Sequence, residues 1–343
     1  MVSRVSIRDV AREAGVSVTT VSHALNGKGR LHPDTRQRVR EVADRLGYRP
    51  NPAARSLVSG RTGLIAVVPS FPRGLDMEFS EFGFYSEMIG AATGVAMSRD
   101  NALVVSPPAA DWFVWDRVPL DGVIVIEPVV GEPALPDLRR RRVPFVTVSA
   151  DPAGASTDAV VRSDDRAGTV RMLDHLVDSG GATVAMLAPP PINGFTRDCA
   201  ETYRRWCAST GRPLALEVVS EHDLATDRTE AYRISLDRLL GSRPRPDALF
   251  APGEIAGVTV LDELLSRGIE VPDEMLVSTT RDLGRVTTTA PPMTAMEWDF
   301  PEIGRRAARL LLDLIDGART APYEEVIATS LEPRASTARQ VFM

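Results

Sequence analysis

From Leu64 onward, short apolar runs rich in β-branched residues alternate with longer segments whose apolar residues recur at helical spacing. The predicted strands are LIAVV (64–68), ALVVS (102–106), GVIVI (122–126), PFVTV (144–148), TVAML (183–187), LALEVV (214–219), DALFA (247–251) and MLVS (275–278). The predicted helices cover 166–179, 194–210, 226–240, 254–267 and 300–316. Continuous apolar strands alternating with helices indicate parallel sheets covered on both faces. The pattern predicts an α/β core of two doubly wound lobes, with a ligand cleft at the carboxyl ends of the strands.

The N-terminal residues follow a different pattern, that of two short helices joined by a tight turn. Ser6 and Asp9 form a capping box at the start of the first helix. Gly15 supplies the positive φ that a sharp turn needs, and Ser17 caps the second helix. The first helix has the apolar positions Val10, Ala11 and Ala14. The pattern predicts a helix-turn-helix, whose second helix enters the DNA major groove, although an ordinary helical hairpin has the same spacing.

A third helix is predicted from Pro33 to Leu46, because proline suits the first helical position and Gly47 suits the position just past the end. Its apolar stripe can close a small core with the first two helices through Val39, Val42, Ala43 and Leu46. The segment NPAARSLVSGRT that begins at Asn51 spans barely two turns, which is too short to hold helical shape alone. We expect this segment to fold only when another surface packs on it.

These patterns divide the chain into three expected parts. They are a three-helix head (1–49), a hinge helix or linker (50–62) and a two-lobed core for effector binding and dimerisation (63–343). Within the core, we expect the N-terminal lobe to comprise about 63–160 and 280–300, and the C-terminal lobe about 161–279 and 301–332.

Charge is distributed unevenly between these parts. The whole chain has a formal net charge of −6, which argues against a general polyanion binder. Residues 1–62 contain 12 Lys and Arg against 5 Asp and Glu, whereas the rest contains 28 against 41. A basic head on an acidic body is expected when the head alone meets phosphates, although a basic solvated face gives the same count.

Several classes of protein are disfavoured by what the sequence lacks. No apolar run is long enough for a membrane span, and arginines interrupt any signal-peptide core, so we expect a cytoplasmic protein. Cys199 and Cys207 lie eight apart in a helical segment and are expected to be reduced. The four histidines have no metal-ligand spacing, and we expect no cofactor and no metal. Nucleotide-binding and hydrolase motifs are missing, so an enzyme is not expected.

Two long segments identify a family resemblance. IRDVAREAGVSVTTVSHALNG, followed by TRQRVREVADRLGYRPNPAARSL, resembles the LacI/GalR family of bacterial transcription regulators, and the resemblance covers essentially the whole chain. Within the family, TTVSH is most similar to the purine repressors. The resemblance implies a DNA-binding head, a hinge helix and a core like the periplasmic sugar-binding proteins. It also implies a homodimer, or a tetramer built from it, on a near-palindromic double-stranded DNA operator.

The resemblance also implies roles for individual residues of the head and hinge. The second helix is expected to read bases through Val18, Thr19, Thr20 and His23. Phosphate contacts, which position the head without specifying sequence, are expected from Ser6, Ser22, Asn26 and Thr35. The hinge is expected to enter the minor groove with Ala54, Arg55 and Leu57. Leu57 matches the residue that relatives insert into the central base step, which unstacks bases and bends the duplex.

The predicted ligand site departs from the family pattern. Relatives carry Asn-Asp after the strand matching DALFA, where this chain has Pro252 and Gly253. They carry Gly-aromatic-Asp after the strand matching MLVS, where this chain has Ser278, Thr279 and Thr280. A sugar needs carboxylates and amides that accept its hydroxyl protons, so these departures argue against a common sugar ligand.

Six other side chains are candidates for an effector site: Phe71, Ser149, Phe195, Arg197, Trp298 and Asp299. Arg197 matches an arginine that clamps effectors in relatives, and Phe195 and Trp298 could stack on a ring. The alternatives are that Trp298 belongs to the core between the lobes and that Arg197 pairs with a carboxylate.

Three functions remain to be distinguished. The favoured one is a DNA-binding transcriptional regulator, by family habit a repressor, with small-molecule control through the core. In the second, the core has lost small-molecule sensing and the regulator answers to a protein partner or to its own abundance. A solute-binding protein would share the two-lobed body but would need a secretion signal and no DNA-binding head.

Overall fold

The computed structural model describes residues 5–25, 29–49, 60–71, 83–106, 112–154, 157–280 and 284–339. Contacts divide the chain into two compact units, Met1–Thr62 and Gly63–Met343, called here the head and the core. Among the described residues, no helix is long and apolar enough to cross a membrane.

The described part of the head contains three helices, α1 (Ile7–Ala14), α2 (Val18–Leu25) and α3 (Pro33–Arg45). The predicted capping box is confirmed, since the backbone N–H of Ser6 donates to Asp9 Oδ2 over 3.0 Å and its hydroxyl donates to the same atom over 2.7 Å. The hydroxyl bond, followed by the backbone bond, holds the pKa of Asp9 below its usual value. The turn passes through Gly15 at φ 64°, and the backbone N–H of Thr20 donates to Ser17 Oγ, which caps α2.

The three helices enclose one small apolar core. Its buried members are Val10, Ala11, Ala14, Val21, Ala24, Val39, Val42 and Ala43. Leu46, which was also predicted for this core, is half-buried and packs against it just after the end of α3. An ion pair of 2.9 Å between Glu13 and Arg45 also joins α1 to α3. Because so few side chains are buried, the head relies on its caps and its turn as well as on hydrophobic contact.

Among its described residues, the core has two sheets of six strands each. Their strands are β1 (Leu64–Pro69), β2 (Ala102–Val105), β3 (Gly122–Ile126), β4 (Phe145–Val148), β5 (Ala159–Ser163), β6 (Val184–Ala188), β7 (Leu216–Val218), β8 (Ala248–Ala251), β9 (Leu276–Thr280), β10 (Thr294–Glu297), β11 (Tyr323–Ile327) and β12 (Ser330–Glu332). The first sheet, in the order β11-β5-β4-β3-β1-β2, is entirely parallel. The second, in the order β12-β10-β9-β8-β6-β7, is parallel except that β12 runs antiparallel to β10.

Helices cover both sheets. They are α4 (Gly83–Ser98), α5 (Ala134–Arg141), α6 (Asp165–Asp178), α7 (Gly194–Thr210), α8 (Glu221–Thr226), α9 (Arg228–Leu240), α10 (Glu254–Ser266) and α11 (Phe300–Ile315). Every predicted strand and helix of the core is present, with ends that differ by two residues at most. The predicted two-lobed, doubly wound α/β fold is therefore confirmed. Cys199 and Cys207 both lie buried on α7 as free thiols.

The predicted assignment of two segments to lobes is wrong. Residues 280–300 were expected in the N-terminal lobe, but β10 pairs with β9 in the second sheet. Residues 301–332 were expected in the C-terminal lobe, but α11 packs against α4 and against β3, β4 and β5 of the first sheet, which β11 also joins. The chain therefore crosses between the lobes three times, at about 163–165, 297–300 and 327–330. The hydrophobic pattern identifies a strand, but not the sheet that it joins.

Candidate nucleic-acid interface and interlobe cleft

The start of α2 is an exposed part of the head that could meet DNA bases. Val18 is 41% exposed, although it is an apolar side chain at the first position of the helix. Thr19 is also exposed, whereas Thr20 is half-buried with its hydroxyl 2.9 Å from Ser17 Oγ. His23, one turn further, is half-buried, and Val21 and Ala24 face the core. The residues expected to read bases thus lie on the outer side of one short, capped helix.

The residues expected to contact phosphates are placed less uniformly. Ser6 is exposed, but its hydroxyl already donates to Asp9. Ser22 and Thr35 are half-buried on α2 and α3. Asn26 of the head and Ala54, Arg55 and Leu57 of the hinge lie outside the described residues.

A cleft lies between the lobes of the core, at the carboxyl ends of the strands of the first sheet. It has ≈ 330 Å³ of empty space, including its open mouth. Its polar lining consists of Glu127, Ser149, Arg162, Ser163 and Asp165. Its apolar lining consists of Met88, Val148, Phe195, Trp298, Phe300 and Ile303. The elements that end here are β3, β4 and β5 of the first sheet, and the chain between β10 and α11 contributes Trp298.

Two cleft residues have a positive φ, a backbone conformation that residues other than glycine rarely adopt. Glu127 follows β3 with φ 52°, and Ser149 follows β4 with φ 73°. Positions of this kind cost about 1–3 kcal/mol each and cluster at ligand sites and switches. Two such positions at the ends of adjacent strands, both lining the cleft, make this edge of the sheet a candidate ligand site.

Aromatic rings run from the cleft into the first lobe as a connected ladder. Trp298 contacts Phe195 edge-on at 5.7 Å between ring centroids and stacks on Phe300 at 6.2 Å. From Phe300 the ladder continues through Phe84 and Tyr85 to Phe71. The Trp298 indole N–H donates to Asp165 over 3.0 Å, so its buried polar atom is satisfied. Trp298 is therefore both an interlobe core residue and a wall of the cleft.

Three of the six effector candidates do not line the cleft. Arg197 of α7 donates to the backbone oxygen of Pro152 over 2.9 Å and also pairs with Asp198, so it ties the second lobe to the first. Asp299 caps α11 by accepting from the backbone N–H of Glu302 over 2.8 Å. Phe71 packs against Tyr85 at the far end of the ladder. Ser149, Phe195 and Trp298 do line the cleft.

The positions where the family pattern has an aromatic residue and a carboxylate serve a structural purpose here. Thr279 and Thr280 are fully buried at the end of β9. The Thr279 hydroxyl donates to the backbone oxygens of Ala251 and Gly253, and the Thr280 hydroxyl accepts from the N–H of Gly253. These hydroxyls hold the turn after β8 instead of facing a ligand.

A hydrogen-bond network joins the first and third crossovers between the lobes. Asp164 Oδ1 accepts from both the backbone N–H and the hydroxyl of Thr329, each over 2.7 Å. Arg171 donates to the other carboxylate oxygen and to the backbone oxygen of Thr329. Burial alone would raise the pKa of Asp164, but the hydrogen bonds from Thr329 and Arg171 outweigh it, and the pKa lies below its usual value.

Comparison with known proteins decides the family. Residues 6–51 match the family described as bacterial regulatory proteins, lacI family, and residues 173–337 match the periplasmic binding protein-like domain. The HTH-type transcriptional regulator CelR of Thermobifida fusca is 30% identical over 97% of this chain and 98% of its own length. The chain belongs to the LacI family. As a LacI-family protein it is a DNA-binding transcriptional regulator, and the relatives that it matches are regulators rather than enzymes.

Solved structures of LacI-family proteins have the same fold. The CelR–cellobiose complex superposes with a TM-score of 0.69 at 25% identity, covering 97% of this chain and 100% of that one. The lac repressor dimer bound to operator and the anti-inducer ONPF superposes with a TM-score of 0.79 at 20% identity, covering 98% and 100%. Among the residues that the structure describes, no cluster of His, Cys, Asp and Glu is placed to hold a metal ion.

Sequence reasoning about this LacI-family core missed most of the cleft's polar lining. Glu127 directly follows the predicted strand GVIVI, just as Ser149 follows PFVTV. Its position at the carboxyl end of a strand is the signal that could have predicted it. Arg162, Ser163 and Asp165 were missed because β5 was not predicted.

We expect Asp164→Asn to lower the free energy of unfolding by about 1–3 kcal/mol near neutral pH. The Asp164 carboxylate accepts hydrogen bonds from Thr329 and Arg171, whereas the NH₂ group of asparagine is a donor and cannot accept them. The difference from wild type should shrink on acidification. The folded-state pKa is depressed, so this stabilisation is present above the unfolded pKa and is lost as the pH falls through the folded value. Urea unfolding of the full chain, repeated from neutral to acid pH, measures this difference in the free energy of unfolding. Asp273→Asn, at an exposed aspartate, is the control, and equal effects of the two variants would contradict the prediction.

Proposed function

We propose that this regulator is a repressor that binds a near-palindromic operator as a homodimer and inserts α2 of each head into the major groove. In this proposal Val18, Thr19, Thr20 and His23 read bases, and Ser6, Ser22, Asn26 and Thr35 contact phosphates. Ala54, Arg55 and Leu57 of the hinge occupy the central minor groove. The observation that carries the proposal is the exposed start of α2, where Val18 and Thr19 are presented to solvent on a compact head.

Charge on the head supports the same proposal. Exposed arginines surround the helices at positions 8, 12, 30, 38, 40, 45 and 49. Cations at this density can neutralise several phosphates, whereas the acidic core is repelled by DNA. The head therefore provides a positively charged surface of the kind that the proposal requires.

Selection of duplexes from a randomised library by the purified full-length protein tests the DNA side of the proposal. We expect enrichment of one motif with two inverted half-sites about one helical turn apart, because protein two-fold symmetry is mirrored in the DNA. Enrichment of a single unrepeated half-site, or of no motif, would contradict the proposed dimeric reading.

The interlobe cleft supports control by a compact polar effector. The side chains of Glu127, Ser149, Arg162 and Ser163 offer both donors and acceptors, and Phe195 and Trp298 form an apolar wall. Binding there would change DNA affinity by favouring one arrangement of the lobes over another.

A second candidate is a regulator that answers to a protein partner or to its own abundance. The buried hydroxyls of Thr279 and Thr280, both used by the backbone after β8, favour this candidate over a sugar-responsive one. Calorimetry of the full chain against sugars, nucleosides and purines separates the two. Heat of binding that is lost in Glu127→Gln supports the cleft effector, and no heat from any compound supports the second candidate.

A further inference from the structure

We infer that Gly29 fixes the position of the His23 ring and thereby sets the base preference of α2. The inference rests on the proposed role of His23 in reading a base. Gly29 lies in the turn before α3 with φ 72°, and the His23 ring packs directly on its backbone. A Cβ at position 29 would lie 2.8 Å from His23 Nδ1, 3.3 Å from Cγ and 3.5 Å from Cε1.

These distances show what must move if residue 29 gains a side chain. Carbon and nitrogen atoms in van der Waals contact lie about 3.5–4.0 Å apart, so the ring would have to shift by roughly 0.7 Å or more. The obstructing atoms belong to the end of a side chain, which can move without unfolding the helix. A side chain at position 29 therefore displaces the imidazole of His23 before it disrupts α2.

Gly29 is itself held by the third helix. The Arg36 guanidinium of α3 donates from Nη2 to the backbone oxygen of Gly29 over 3.3 Å. Arg36 is half-buried, and α3 packs on α2 through the small core of the head. The surface against which the His23 ring rests is thus anchored to the folded head.

Displacement of the His23 ring should change the base specificity of DNA binding more than the overall affinity. A hydrogen bond to a base edge needs a donor–acceptor distance of about 2.7–3.2 Å and weakens steeply when it bends. A ring displaced by most of an ångström loses that geometry, while the residues proposed to contact phosphates are unaffected. Gly29 is therefore a positioning residue for base readout.

The test measures base preference, which a purely structural role would not change. The first probe is the duplex that the wild-type protein enriches from the randomised library. The His23→Ala variant then identifies the base pair at which base preference is lost, and duplexes with each other base at that position are the remaining probes. Fluorescence anisotropy gives the ratio of dissociation constants for the enriched duplex and each remaining probe. We expect Gly29→Ala to lower this preference by about tenfold, in line with the loss of one base contact.

Gly47→Ala is the matched control for backbone strain. Gly47 also has a positive φ, 64°, but a Cβ there meets nothing within 4 Å. Alanine at either position is strained by the left-handed backbone, so both variants should lower the melting temperature of the head. Gly47→Ala alone should keep the wild-type base preference.

The double variant Gly29→Ala/His23→Ala completes the test. If Gly29 acts through the ring, Gly29→Ala causes no further loss of preference once His23 is alanine. Wild-type preference in Gly29→Ala beside lost preference in His23→Ala would overturn the inference and leave the proposed function standing. Equal losses in Gly29→Ala and Gly47→Ala would also overturn it. If His23→Ala keeps the preference at every position, the proposed role of His23 fails, and the inference fails with it.

Discussion

Replacing Thr19 with glutamate is expected to lower the affinity for the enriched duplex by about 100-fold or more while leaving the stability of the head unchanged. Thr19 is exposed at the second position of α2 and takes no part in the apolar core. A carboxylate there faces phosphates and mostly acceptor groups on the base edges, so it adds repulsion to the loss of a contact worth about 1–3 kcal/mol. The positive end of the helix dipole favours a carboxylate at this position, so the free head should not unfold.

Thr229→Glu provides a matched control for this substitution. Thr229 is also exposed at the second position of a helix, α9, but lies in the core. A gel-shift titration with the enriched duplex measures both variants, and we expect Thr229→Glu to keep the wild-type affinity. Thr19→Glu with undiminished affinity would show that the outer face of α2 does not meet the DNA.

Gly304→Ala is expected to have the largest effect on stability, a loss of about 3 kcal/mol or more in the free energy of unfolding. A Cβ on Gly304 of α11 would lie 2.2 Å from the backbone oxygen of Met88 and 2.8 Å from its Cα. These are backbone atoms of α4, so the two helices must separate, which costs more than the shift of a side chain. Since Met88 and Ile303 both line the cleft, the same substitution should distort the proposed effector site.

Gly94→Ala tests whether the clash or the loss of glycine causes that effect. Gly94 also lies on the α4–α11 pair, within α4, but a Cβ there meets nothing within 4 Å. Alanine should therefore stabilise the helix by about 0.5–1 kcal/mol. Urea unfolding followed by circular dichroism measures both variants. Destabilisation by both, or by neither, would contradict the tight packing inferred at Gly304.

The sequence predicts the elements of this fold well where strands are continuous and apolar. The buried runs of β3, β6 and β8 were all found because parallel strands covered on both faces need such runs. β11, with the sequence YEEVI, was missed because it is an edge strand whose residues alternate between exposed and half-buried. β10, with the sequence TAME, was missed because it is short and begins with a polar residue.

The two candidate sites also differ in how far the sequence predicts them. The helix-turn-helix that carries α2 could be predicted because helical spacing, caps and the turn are local. The base-reading roles proposed for residues of α2 come from the family resemblance. The cleft depends on which sheet each late segment joins, and that is decided by long-range packing. Arg197 illustrates the limit, because matching it to a relative's effector clamp did not predict its bond to Pro152 across the lobes.

Footprinting of the purified full-length protein on fragments of bacterial chromosome tests the central claim, that α2 reads DNA sequence, most directly. We predict discrete, near-palindromic protected sites for the wild-type protein and for Thr229→Glu. The same sites should be unprotected with Thr19→Glu. Affinity at these sites should fall by about 10³–10⁵ between 50 and 200 mM salt if the paired heads make about 6–10 phosphate contacts. Uniform protection, or sites that persist with Thr19→Glu, would contradict the account.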